Sequence, residues 1–314
     1  MKLAPIRMRP SFRHGAETPW GGDRLKTVFQ KAIPDARTGE SLECSVISGH
    51  NSTDENGTPL SELIERWGES LTGPGFDKPF PLLLKLIDAE DRLSVQVHPD
   101  DAYAARVENK QGKTEAWVIL DCAEGAQLVY GFQEGVTREQ LKQACEGGKA
   151  LEALLRFVPV HRGDVFYIPS GTVHAIGAGI VLYEIQQSSD VTYRFYDWDR
   201  RDANGKGREL HQAKALDVVD LHMQGQAVRG SAMGDHIRLL DETYFTLDRY
   251  LAPAVIQPDK RMFRILTAIE PARLSFSEGE MDLKAGETVL LPADGYAVSI
   301  DGKDVLVAAP KVRT

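Results

Sequence analysis

Two side chains able to bind a metal ion lie on one face of a predicted strand. Residues 92–98, RLSVQVH, alternate between apolar and polar, so Gln96 and His98 point to the same side of the strand. Pro99 ends the strand because proline cannot donate to the ladder. A histidine on an alternating strand is more often a surface residue than a ligand, and glutamine rarely binds zinc. The pair by itself therefore leaves a metal site open.

Glu115 and His174 complete a set of four potential ligands. Glu115 lies in a second predicted strand, 114–120. His174 ends the segment 163–174, GDVFYIPSGTVH, in which glycine allows a tight turn and proline ends a strand. Imidazole nitrogen and carboxylate oxygen are ligands that Zn²⁺ accepts in a tetrahedral site. The ligand types also suit iron, manganese or nickel, so the four residues leave both the presence of a metal and its identity open.

A second polar cluster occupies residues 183–200, YEIQQSSDVTYRFYDWDR. Glu184 lies on an alternating strand, and Arg194 and Arg200 are near enough in sequence to line one wall of a pocket. Composition alone favours a simpler interpretation, a solvated polar strand with a surface ion pair.

The elements that must position these residues are mostly short strands with glycine and proline between them. Such spacing is typical of a barrel or sandwich. Two helical segments interrupt the strands, at 60–70 and 137–157. In the second, Thr137 and Gln140 form a capping-box pattern, and the pair Gly147–Gly148 divides the segment into two helices.

A weak internal repeat indicates two related β modules. Residues 162–170, RGDVFYIPS, and 285–293, AGETVLLPA, both place a turn before a short apolar strand and a proline. Only the first copy is followed by a histidine, so only the first module is expected to hold a metal. The small and polar stretch 225–234 is the predicted linker.

Composition narrows the class of partner and compartment. The net charge is −9, which provides no overall attraction to nucleic acid or to an anionic membrane. The three cysteines form no CxxC pair, which fits a reducing cytosol better than a disulfide framework. Neither a signal peptide nor a transmembrane helix is predicted, so the expected location is cytoplasmic.

Three strings in order along the chain carry a family resemblance: LSVQVHPDD at 93–101, GKTEAW at 112–117, and IPSGTVHAIGAGIVLYEIQQSSDVTYRFYDWDR at 168–200. Together with TPWGG at 18–22, they resemble the type I mannose-6-phosphate isomerases in their short bacterial form. The resemblance implies a mainly β fold, a cupin (jelly-roll) barrel with a few helices, plus a second, smaller and degenerate cupin-like module. The expected domains are a catalytic cupin at 1–224 and a metal-free β domain at 235–314.

The resemblance also assigns roles to individual residues. The metal ligands fall on Gln96, His98, Glu115 and His174, with one zinc ion per chain. The catalytic residues fall on Lys113, Glu184 and Arg194. Phosphate binding falls on Arg194, Arg200 and Lys85.

The function implied is that of a zinc-dependent aldose–ketose isomerase. It would interconvert mannose 6-phosphate and fructose 6-phosphate through a cis-enediol(ate) intermediate. A non-catalytic sugar-phosphate-binding cupin and a different metal-dependent cupin enzyme are the alternatives. The expected partner is a small sugar phosphate, without nucleic acid or membrane, and the oligomeric state stays open.

Overall fold

A computed structural model describes residues 2–76, 78–146 and 148–311 of the chain. Strands predominate over helices throughout these residues, which confirms the predicted mainly β class. In the same residues no helix is both long enough and apolar enough to cross a membrane.

The helices are short and separate groups of strands. They are Arg24–Phe29 (α1), Leu60–Trp67 (α2), Glu69–Thr72 (α3), Asp101–Glu108 (α4), Arg138–Glu146 (α5) and Gln212–Val218 (α6), with a 3-10 helix at Gly148–Leu154.

The strands in the first part of the chain, up to the beginning of α6, include all those that carry the predicted site. They are Ile6–Met8 (β1), Ser11–His14 (β2), Thr38–Cys44 (β3), Val46–Ile47 (β4), His50–Asn51 (β5), Leu82–Ala89 (β6), Val95–Val97 (β7), Glu115–Cys122 (β8), Gln127–Phe132 (β9), Leu155–Pro159 (β10), Val165–Ile168 (β11), His174–Ile176 (β12), Ile180–Gln187 (β13) and Tyr193–Tyr196 (β14).

The strands after α6 form the C-terminal part of the chain. They are Ser231–Ala232 (β15), Ile237–Asp241 (β16), Phe245–Tyr250 (β17), Ala254–Ile256 (β18), Arg264–Ala268 (β19), Ala272–Phe276 (β20), Gly279–Leu283 (β21), Thr288–Leu291 (β22), Val298–Gly302 (β23) and Val305–Pro310 (β24).

Contacts between Cα atoms divide the chain into two compact units. The first contains residues 1–19, 23–87 and 229–314, and the second contains residues 20–22 and 88–228. This grouping differs from the predicted boundaries of 1–224 and 235–314, because strand β1 pairs with β22 and so joins the N-terminal segment to the C-terminal one. The predicted division into a catalytic and a C-terminal domain stays a prediction.

The first unit has a core between two sheets. Its larger sheet has the order β1-β22-β19-β24-β17-β16-β15, and a second has the order β18-β23-β20-β21. Both sheets contribute side chains to one apolar cluster, for example Leu266 and Val289 from the larger sheet and Leu274 and Ile300 from the smaller. Alternating inward side chains of two sheets form such a core in a β-sandwich.

The second unit combines strands with helices α4, α5 and α6 and the 3-10 helix. One sheet has the order β10-β9-β12-β7-β14, and β8 lies between β11 and β13 in another. Helices α5 and α6 and the 3-10 helix share an apolar cluster with Val95 and Val97 of β7 and Phe195 of β14. One face of the five-stranded sheet is thus covered by helices. The alternation of strand side chains sends Gln96 to the opposite face.

The predicted capping box is confirmed. The backbone N–H of Thr137 donates to Gln140 Oε1 at 2.8 Å, and the backbone N–H of Gln140 donates to Thr137 Oγ1 at 3.2 Å. The helical segment at 137–157 ends earlier than predicted, because residues from Leu155 onward pair with β9 as strand β10. Gly147, half of the predicted glycine break, lies outside the described residues.

The two copies of the sequence repeat have similar local structure. Gly163 and Gly286 both adopt positive φ, at 91° and 79°, and each precedes a short strand, β11 or β22. A positive φ is accessible to glycine without steric cost, which explains glycine at the turn in both copies.

Candidate metal centre

Three strands of the five-stranded sheet place polar side chains in one row. Gln96 of β7 is paired with His174 of β12 on one side and with Arg194 of β14 on the other. Directly paired residues of neighbouring strands project from the same face of a sheet. Gln96, His174 and Arg194 are therefore neighbours on one face of this sheet.

A second row comes from the pairing of β8 with β13. Glu115 is opposite Gln186, and Trp117 is opposite Glu184. Because residues two apart on a strand share a face, all four side chains project to one side of this sheet. The side chains of all four are buried.

Three of the predicted ligands converge in the interior of the second unit. His98 Nε2 is 3.4 Å from Glu115 Oε2, and His174 Nε2 is 3.3 Å from Glu115 Oε1. One ligand atom from each of the three residues lies within 4.8 Å of the other two. Tetrahedral bonds of about 2.0–2.2 Å place ligand atoms about 3.4 Å apart, so these two separations suit one shared ion. Among the described residues, no other group of three or more acidic, histidine or cysteine side chains has spacing that could hold a metal ion.

The backbone determines which nitrogen of each imidazole faces the centre. His98 Nδ1 is 2.9 Å from the carbonyl oxygen of Val191, and His174 Nδ1 is 2.9 Å from that of Thr172. Since a carbonyl only accepts, Nδ1 carries the proton and donates, and Nε2 keeps its lone pair. Both Nε2 atoms are buried without a hydrogen-bond partner among the described residues. This arrangement is the one that a metal-binding histidine needs.

Burial, strengthened by the charge of Lys113, lowers the pKa of His98 to about 3. The ring is therefore neutral at physiological pH, as a metal ligand must be.

Glu115 is the charged member of the group. Burial acts to raise the pKa of this carboxyl, but the positive charge of Lys113 and the contacts with His98 and His174 outweigh burial and hold the pKa well below its usual range. Lys113 Nζ lies 2.9 Å from Glu115 Oε2, and both side chains are buried. The carboxylate is consequently ionised, and an ammonium group stands beside it.

Arg194 and Arg200 lie in the same unit but have different surroundings. Arg194 is half-buried, burial lowers its pKa, and its Nε has no hydrogen-bond partner among the described residues. Arg200 donates to Asp197 Oδ1 and to Asp91 Oδ2, each at 3.0 Å. Its guanidinium is thus held by protein carboxylates on both sides. Arg208, which the sequence interpretation did not select, also approaches Asp197, with Nε 3.5 Å from Oδ2.

Lys85, the remaining predicted residue, belongs to the first compact unit. It is buried on β6 with its Nζ 3.4 Å from Glu40 Oε1. Its predicted role in phosphate binding stays a prediction.

The structure adds two side chains to the group that the sequence interpretation selected. Trp117 donates from Nε1 to Glu184 Oε2 at 3.0 Å. Gln186 is fully buried and donates to the carbonyl oxygens of Gln187 and Ser189 at 2.7 and 2.8 Å. The available signal in the sequence was spacing: Trp117 lies two residues after Glu115, and Gln186 lies two residues after Glu184. Only the register between β8 and β13 shows that both side chains lie beside the ligands.

The chain is similar to known proteins over nearly its whole length. Residues 13–118 match the family described as phosphomannose isomerase type I, catalytic domain. Mannose-6-phosphate isomerase ManA of Bacillus subtilis (strain 168) is 39% identical over 318 residues, which cover 96% of this chain and 99% of ManA.

Solved structures of mannose 6-phosphate isomerases have the same fold as this chain. The crystal structure of the mannose 6-phosphate isomerase from Bacillus subtilis has a TM-score of 0.87 and 34% sequence identity, and covers 98% of this chain and 99% of its own. A crystal structure of mannose 6-phosphate isomerase bound with zinc and yttrium shares the fold, with a TM-score of 0.78 at 16% identity over 99% of this chain and 100% of its own. The family resemblance and the fold class predicted from the sequence are thereby confirmed. This chain is an isomerase and belongs to the type I phosphomannose isomerase family.

Proposed function

We propose that this isomerase depends on one zinc ion per chain and interconverts mannose 6-phosphate and fructose 6-phosphate through a cis-enediol(ate) intermediate. The observation that carries the proposal is the buried group of His98, Glu115 and His174, whose two Nε2 atoms face the same carboxylate at 3.3 and 3.4 Å. Neutral imidazoles beside an ionised carboxylate form a ligand set typical of zinc sites that keep a position for substrate.

Four residues would hold the ion: Gln96, His98, Glu115 and His174. Gln96 is the fourth because its strand pairing places it beside His174. Bound there, a divalent metal supplies positive charge near the substrate oxygens O1 and O2, where negative charge develops. Zinc is favoured over other metals because a protein of the same fold, a mannose 6-phosphate isomerase, has been crystallised with zinc.

The proton transfer falls to Glu184. In the direction from aldose to ketose, its carboxylate removes the proton from C2 of the open-chain sugar, and the C2–H electrons form the C1–C2 double bond of the enediolate. After the hydroxyl proton of O2 passes to O1, the carboxylic acid returns its proton to C1, which restores the carboxylate and completes the ketose. Glu184 suits this role because it projects from the same sheet face as Glu115, and it is almost fully buried.

Lys113 and Arg194 supply positive charge to the same intermediate. Lys113 is already beside the ligand carboxylate, at 2.9 Å, and an ammonium there can donate to a sugar oxygen as it becomes negative. Arg194 lies next to Gln96 in the sheet, and its planar guanidinium can donate to the enediolate or to the phosphate.

The phosphate needs cations beyond the reacting carbons, and Arg194, Arg200 and Lys85 are the proposed set. Arg200 contributes through a guanidinium that Asp91 and Asp197 already orient.

Isomerisation in D₂O tests the mechanism. The proton held by the Glu184 carboxyl exchanges with solvent during the lifetime of the enediolate, so NMR of the product is expected to show deuterium at C1 of fructose 6-phosphate. Glu184→Gln is expected to lower both turnover and exchange by about 10²- to 10⁴-fold, because an amide cannot accept the proton. Product formed at the normal rate without any solvent deuterium would instead indicate a direct hydride shift and contradict the enediolate.

A further inference from the structure

Trp117 is a fully buried indole that touches both the proposed base and a proposed ligand. Its Nε1–H donates to Glu184 Oε2 at 3.0 Å. Its ring meets the imidazole of His174 edge-on, with centroids 5.4 Å apart and planes at 69°. The pairing of β8 with β13 places Trp117 directly opposite Glu184, so the contact with Glu184 follows from the strand register.

In the hydrogen bond with Glu184, the indole of Trp117 can act only as the donor. An indole N–H donates and cannot accept, so the oxygen that faces it must be an acceptor. A hydrogen bond to an ionised carboxylate is shorter and stronger than one between neutral groups, and it restricts rotation of the carboxylate. Phenylalanine would fill most of the same space and make no such bond.

We propose that Trp117 is a positioning residue for the isomerisation: its N–H holds the Glu184 carboxylate in one orientation toward the substrate carbons, and its ring edge supports the imidazole of His174. The inference rests on the proposed function, because that function gives Glu184 the proton transfer. A carboxylate that must reach both C1 and C2 benefits from a fixed direction, since near-attack geometry accounts for a large part of enzymatic rate enhancement.

Trp117→Phe removes the donor and keeps an aromatic ring. We expect kcat to fall about 10- to 100-fold, the range for loss of an outer hydrogen-bond partner, with KM changed by less than about threefold. Zinc content should equal that of the wild type, because phenylalanine still packs against His174. Trp117→benzothienylalanine, in which sulfur replaces the N–H with little change of shape, should reproduce the loss of kcat and serves if the phenylalanine variant does not fold.

A double-mutant cycle with Glu184→Gln separates positioning from packing. If Trp117 acts through the carboxylate, Trp117→Phe should change kcat by less than about threefold once Glu184 is already glutamine. A residue that only fills the core would instead lower kcat by the same factor in both backgrounds, and that additive result would overturn the proposal.

Phe166→Leu is the matched control. Phe166 is fully buried opposite Trp117 on β11, so its truncation disturbs the same layer without touching the hydrogen bond. We expect it to lower the Tm while kcat stays within about twofold of the wild type. An equal loss of kcat in Phe166→Leu and Trp117→Phe would also overturn the proposal.

The same variants distinguish failure of the inference from failure of the proposed function. If Glu184→Gln loses activity while Trp117→Phe keeps the wild-type kcat, Glu184 is the base and Trp117 does not position it. If Glu184→Gln itself keeps the wild-type kcat, the proposed role of Glu184 is wrong, and the positioning role of Trp117 falls with it.

Discussion

Replacement of Arg194 by alanine is expected to slow isomerisation strongly without loss of the metal. The guanidinium lies beside Gln96 in the sheet, it is half-buried, and its Nε has no hydrogen-bond partner among the described residues. A donor of this kind is available to the substrate. Arginine cannot be a ligand at neutral pH, so zinc content is expected to stay at the wild-type level.

The size of the effect follows from the single contact that is lost. A hydrogen bond to a charged group contributes about 1.5–3 kcal/mol, which corresponds to roughly 10- to 150-fold in rate. A preorganised donor in a water-excluded site reaches about 10²- to 10³-fold. Because Arg194 is only half-buried, we expect kcat/KM to fall by about 10²-fold. Arg194→Lys should recover part of this loss, since an ammonium restores the charge and not the planar pair of donors.

A coupled assay of fructose 6-phosphate formation, with metal content measured on the same samples, tests this expectation. Arg201→Ala is the matched control, because Arg201 is exposed and its guanidinium donates to the carbonyl oxygen of Gly205 within its own loop. That variant should keep the wild-type kcat/KM. Full activity in Arg194→Ala, or loss of zinc from it, would refute the reasoning.

Three further predictions follow from single contacts. Lys113→Met should lower kcat/KM about 10²-fold with zinc retained, because it removes the ammonium 2.9 Å from a ligand carboxylate; unchanged kinetics would exclude a catalytic role. Gly177→Ala should lower the free energy of unfolding by about 1–3 kcal/mol, since the new Cβ would lie 1.9 Å from the carbonyl oxygen of Gln127. Gly207→Ala is the control: its new Cβ would lie 3.7 Å from the nearest atom, so the Tm should stay close to that of the wild type. Equal Tm values for the two variants in thermal unfolding would contradict the prediction. Burial raises the pKa of the Cys44 thiol, so mass spectrometry should find no alkylation of Cys44 by iodoacetamide in the folded protein at pH 8, and rapid labelling would show that the thiol is accessible.

Local patterns were sufficient to predict some of the elements that carry the site. The alternation around Gln96 and His98 predicted a strand at 92–98, and β7 covers Val95–Val97 of it, with His98 just beyond its end. The capping box at Thr137 predicted the beginning of α5. These signals depend on neighbours a few residues apart, where sequence spacing and spatial proximity are nearly the same.

Non-local pairing was beyond the reach of the sequence interpretation. Nothing near Trp117 in the sequence indicates that its indole meets Glu184, 67 residues later; only the register of β13 on β8 brings them together. The grouping of the N-terminal segment with residues 229–314 has the same origin, because Ile6 pairs with Leu290. A register shift by one residue would reverse the face of every side chain in a strand, and local composition does not determine it.

Metal content and isomerase rate, measured together on the same preparations, test the central claim most directly. Elemental analysis of the wild type is expected to find one zinc ion per chain. A chelator should remove zinc and activity in parallel, and added zinc should restore both. His174→Ala should lack both zinc and activity, because the variant loses one of the two Nε2 atoms that face Glu115. A zinc-free protein that converts mannose 6-phosphate at the wild-type rate would contradict the account.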